Sequence, residues 1–105
     1  MTWVIQATDD DDGFWSNELG WTSFPSATRF TQQERERLSL PTDSKWIEER
    51  IVQQNFAIEI LQKSHDGNDL TIQELRLVEL AANGKLNKIG VEALEELRTK
   101  VSETA

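Results

Sequence analysis

Cysteine is missing from these 105 residues, which excludes disulfide staples and thiolate metal sites and is typical of a chain kept in a reducing compartment. Histidine occurs once, at His65, so no zinc-ligand spacing can be assembled from imidazole and thiolate. Long hydrophobic runs are also absent: no window approaches the roughly 20 apolar residues of a membrane span, and the opening MTWVIQATDDDD lacks a basic leader. A cytoplasmic protein without a membrane partner is the expectation. Glycine-rich phosphate loops and nucleophile elbows are absent as well. No enzyme chemistry and no cofactor are therefore expected.

Positive charge is the scarcest commodity. Nineteen acids face 11 bases, for a net charge of -8. The imbalance is greatest early: residues 1 to 40 carry 7 acids and 3 bases, residues 41 to 69 carry 6 and 3, and residues 70 to 105 carry 6 and 5. A DNA reader needs cations where the phosphates lie, so this field disfavours direct nucleic-acid contact and favours a protein partner with a basic surface. Length and a 37% hydrophobic content suit a single domain over residues 1–105.

What is present is well punctuated. TWVIQAT alternates as a strand with Trp3, Ile5 and Ala7 on one face, and the run Asp9 to Asp12 with Gly13 marks a turn. FWSNELGWTSF reads as two short strands around a reversal at Asn17 to Gly20. The fold class expected is α+β, with a small antiparallel meander over about residues 2–24, packed on a helical C-terminal half. Its helices are expected at about 32–38, 45–63, 72–83 and 88–102. Thr31 with Glu34, and Thr71 with Glu74, have the spacing of capping boxes. Thr42, Asp43 and Ser44 offer N-caps to the second helix, whose apolar stripe is Ile47, Ile51, Val52, Phe56, Ile60 and Leu61. Asn83-Gly84 supplies a left-handed stop, and Asn87 caps the last helix.

Several constellations invite chemistry. The acidic run before Gly13 suggests calcium, but an EF-hand register would make Thr8 and Leu19 the first and last ligands, and neither offers a carboxylate. No metal site is expected. His65 and Asp66 are adjacent in a polar loop, where neighbours rarely face one another. The densest aromatic run lies beside the only dense like-charge run. That pairing of a steering charge with desolvated anchors nominates Asp9, Asp10, Asp11, Asp12, Phe14, Trp15 and Glu18 as a partner-binding surface. A second candidate face is Glu92, Glu95 and Glu96.

Leu70, Thr71, Glu74, Leu80, Ala82, Gly84, Asn87, Lys88 and Leu94 fall where LuxR-type DNA-binding domains carry the same residue types. Residues 70–94 thus resemble the first two helices of that helix-turn-helix family, which implies a DNA-binding regulator working through residues 70 to 101. The stretch from Gly13 to Glu34 loosely resembles openings of small phage- and plasmid-type proteins. Because Glu92, Glu95 and Glu96 would meet phosphate in a major groove, the reading preferred from the residues is a small non-enzymatic protein that binds another protein. Its most concrete form is a mobile-element inhibitor of a nucleic-acid-handling host defence enzyme, such as an anti-CRISPR factor. The regulator and a structural subunit of a larger assembly are the alternatives.

Overall fold

The structure, a computed structural model, describes residues 2–8 and 13–104. The chain is α+β and divides into two compact units, Met1–Glu49 and Arg50–Ala105.

The first unit holds a four-stranded antiparallel sheet in the order β3-β2-β1-β4, built from β1 (Trp3–Ala7), β2 (Phe14–Ser16), β3 (Gly20–Thr22) and β4 (Ser44–Glu48). The meander of the first 24 residues is present as its sequence suggests. The fourth strand is a correction, because residues 45–48 read as the start of a helix. Asp43 takes a left-handed turn conformation, φ 58°, and the Ser44 hydroxyl donates to the Pro41 carbonyl instead of capping a helix. The following five residues then pair with β1, with Val4 opposite Ile47 and Ile5 opposite Trp46. Five residues of ladder satisfy backbone donors and acceptors on the open side of β1, and this outweighs a helical turn that Ile47 alone would have anchored. The helix α2 (Glu49–Lys63) starts directly after the strand.

Val4 and Ile5, which point to opposite faces of β1, are both buried, as expected of an interior strand. The short helix α1 (Gln32–Arg37) begins with the expected capping box, in which Thr31 and Glu34 exchange side-chain and backbone hydrogen bonds at 3.0 and 3.1 Å. Its residues cover Trp3: Gln32 Oε1 accepts the indole N–H at 2.9 Å, and the Arg35 guanidinium lies 4.2 Å from the ring centroid. Arg29 ties the unit further, donating to the Phe24 and Ala27 carbonyls and pairing with Glu49 at 3.1 Å.

The second unit is helical, with α2 continuing from Arg50, then α3 (Ile72–Ala82) and α4 (Lys88–Thr104). Thr71 and Glu74 form the second capping box. After α3, Gly84 N–H donates to Ala81 O and Lys85 N–H to Leu80 O, a Schellman closure with Gly84 at φ 67°. Glycine is required there twice over, since an added Cβ would sit 2.5 Å from Arg50 Cβ. Asn87 Oδ1 accepts the Gly90 N–H at 2.9 Å and opens α4. Val52, Phe56, Ala57 and Ile60 of α2, Val78 and Ala81 of α3, and Val91, Leu94, Leu97 and Val101 of α4 are the buried apolar residues. Among the described residues, no helix is long and apolar enough to cross a membrane.

Candidate functional site

Strand registers place all four tryptophans on one face of the sheet. Trp3 and Ile5 share a face of β1, Trp46 lies opposite Ile5, and Gln6 lies opposite Phe14, so Trp15 falls on the Trp3 side and brings its partner Trp21 with it. Trp3 is overlaid by Arg35, and Trp46 meets Phe30 edge-on at 5.3 Å. Trp15 and Trp21 pair with each other at 5.4 Å and 75°. Trp21 stands on the edge strand β3 and remains 43% exposed.

The turn joining β2 to β3 is ordered by its own side chains. Ser16 Oγ, buried, accepts the N–H groups of Glu18 at 3.2 Å and Leu19 at 3.1 Å. Asn17 N–H donates to Thr28 Oγ1 at 2.8 Å, and Asn17 Oδ1 accepts the Trp15 indole N–H at 3.0 Å. Gly20 closes the reversal at φ 75°. The result is a hydrogen-bonded tip that carries Leu19, 66% exposed, next in sequence to Glu18, itself exposed, and two residues before Trp21. A hydrogen-bonded turn has its backbone ordered before any partner arrives, which lowers that part of the entropic cost of binding.

The residues nominated from the sequence fare differently. Asp9, Asp10, Asp11 and Asp12 lie outside the described residues. Phe14 is 2% exposed and packs on Phe24 at 5.2 Å, so it is a core ring and not a partner anchor; a neighbour of Trp15 on a strand must point to the opposite face. Trp15 is half-buried and Glu18 is exposed. Leu19 and Trp21 were missed. The signal for Trp21 was available, because a reversal at Asn17 to Gly20 sets Trp21 across from Trp15.

On α4, Glu92 and Glu96 are exposed, but Glu95 does not join them. It turns toward Arg98, 3.3 Å away, whose guanidinium also pairs with Glu59 and lies 4.3 Å from the Phe56 ring centroid. Burial raises the Glu59 pKa, yet hydrogen bonds and charge from Arg98 and Lys63 outweigh it and hold the carboxyl below its ordinary range. Glu74 is held low as well, first by the Thr71 N–H and then by Lys100 at 3.1 Å.

Residues 70–94, which carry the regulator resemblance, span α3 and the first part of α4, and α4 continues unbroken to Thr104. Ser64 donates its buried hydroxyl to the Ile60 carbonyl, and His65 sits exposed in the left-handed region at φ 52°. Among the described residues, no three of histidine, aspartate and glutamate come together to hold a metal ion. No family model, no curated protein and no solved structure matches this chain.

Proposed function

We propose that this chain is a small, acidic, non-enzymatic protein that works by binding another protein, with the β2–β3 hairpin as its anchor. The observation that supports this most directly is the Trp15–Trp21 pair beside exposed Leu19 on a turn already locked by Ser16 and Asn17. Partly exposed tryptophan on an ordered turn, with the exposed carboxylate of Glu18 on the same turn, is the make-up of an interface hot spot. A net charge of -8 steers the chain toward a basic surface and away from phosphate. Basic clefts are what nucleic-acid-handling enzymes present. The concrete form of the proposal is therefore an inhibitor, carried by a phage or plasmid, that occupies such a cleft on a host defence enzyme in the cytoplasm.

The test is a paired capture from bacterial lysate with the native chain and with a Leu19→Ser, Trp21→Ser variant, followed by assay of the captured protein. Expected is a protein with a basic surface that is retained by the native chain, released by added salt and lost by the variant. If it is a nuclease, its cleavage should fall in proportion to the chain added. Equal retention by both baits, or full cleavage by an enzyme saturated with the chain, overturns the respective half of the proposal.

A further inference from the structure

The second unit carries a separate surface that the hairpin reading does not use. Leu77 of α3 and Ala93 and Leu97 of α4 line an open cleft of about 430 Å³, bordered by Gln73, Glu96 and the Glu74–Lys100 ion pair. Spacings of four, three and four put Ile89, Ala93, Glu96 and Lys100 on one stripe of α4. Gln73, Leu77 and Leu80 form the matching stripe on α3. The α3–α4 connection is short and Lys100, late in α4, reaches Glu74 at the start of α3, so the two helices run antiparallel and both stripes flank one groove. Toward the connection, Leu80 is 46% exposed and Ile89 77% exposed, so apolar surface continues beyond the cleft.

Charge selects the occupant. Glu92, Glu96 and Glu103, spaced at four and seven, make an exposed acidic row along the α4 side of the groove. None of the three has an ion-pair partner among the described residues. We infer that this groove docks an amphipathic helix of a partner protein, with apolar residues directed between α3 and α4 and lysine or arginine against the acidic row. A second copy docked through the same face would set the same three glutamates against each other. An α-helix suits the site because a groove between two helices accepts the side-chain ridge of a third, read at i, i+3, i+4 and i+7. The 11 residues of α3 correspond to about three turns of such a partner, roughly 16 Å.

The probe is a synthetic helical peptide of about four turns, leucine on one face and lysine on the other, titrated into the full chain labelled for NMR. A peptide with glutamate in place of lysine is the charge control. Expected are saturable shifts centred on Leu77, Ala93 and Glu96, and affinity for the glutamate peptide lower by about tenfold or more. Glu92→Lys with Glu96→Lys and Glu103→Lys should reverse that preference. Leu80→Ser with Ile89→Ser, both exposed and so compatible with folding, should weaken the lysine peptide about tenfold at an unchanged melting temperature. Trp21→Ser should leave the affinity as it was, so that failure of the groove and failure of the hairpin are separate results. The inference is overturned by shifts gathered on residues 15–21, by equal binding of both peptides, by no binding, or by concentration-dependent groove shifts without peptide, which would mean self-association.

Discussion

Gln53 turns both ends of its amide toward one residue. Its Oε1 accepts the Leu86 N–H at 3.1 Å, and its Nε2 donates to the Leu86 carbonyl at 3.4 Å. The side chain is buried on α2, and Leu86 lies in the connection between α3 and α4, so the pair fixes a loop that has no ladder of its own. Gln53→Leu keeps most of the volume but strands two backbone groups, and we predict a loss of about 1–3 kcal/mol in urea unfolding. Gln53→Glu should also destabilise, since it lacks the donor. A neutral Gln53→Leu would mean that water replaces the amide without cost.

The hairpin allows core and surface aromatics to be told apart. Phe14→Ala empties a fully buried site and should cost about 3–5 kcal/mol. Trp21→Ala, 43% exposed, loses mainly its edge contact with Trp15 and should cost about 0.5–1.5 kcal/mol. Thermal melts of the two variants measured together decide the matter: equal losses would place Trp21 in the core.

Gly84→Ala combines a left-handed backbone with a Cβ forced onto Arg50, and should destabilise by more than about 1 kcal/mol. Denaturant midpoints would show this directly. An unchanged midpoint would mean that the connection can be rebuilt around a side chain.

Acid should weaken the helical unit. Glu59 and Glu74 both have folded pKa values below the ordinary 4.5, so the unfolded chain takes up their protons first as pH falls. Their stabilising contribution is complete above that value and is lost as pH drops through the lower, folded pKa values. Unfolding curves between pH 7 and pH 3 should therefore show stability falling below about 4.5. Glu59→Gln with Glu74→Gln should be less stable at neutral pH and show a flatter decline.

Duplex DNA should not bind usefully at physiological salt. The exposed side of α4 carries Glu92, Glu96 and Glu103, whereas counterion release needs cations on the phosphates. Micromolar affinity in fluorescence anisotropy, falling steeply with salt, would favour the regulator reading.

Local punctuation was legible in the chain itself. Thr31 with Glu34, Thr71 with Glu74, and Asn87 with Gly90 are side-chain bonds spanning three residues, and Asn83-Gly84 closes α3 with backbone bonds of similarly short span, so the starts of α1, α3 and α4 and the stop of α3 followed from sequence alone. The meander was legible for the same reason, since its turn at Asn17 to Gly20 is local. Ser44–Glu48 was not: its strand pairing is with residues some 40 positions earlier, and the stripe containing Ile47 satisfies helical spacing equally well until β1 supplies a ladder. The candidate site was half legible. Composition located it near Trp15 and Glu18, but only the register of three strands assigned Phe14 to the core and Trp21 to the surface, because alternation says that neighbours point apart and not which of them points inward. Glu95 was separated from Glu92 and Glu96 in the same way, by an arginine three residues on that is held from outside α4 by Glu59.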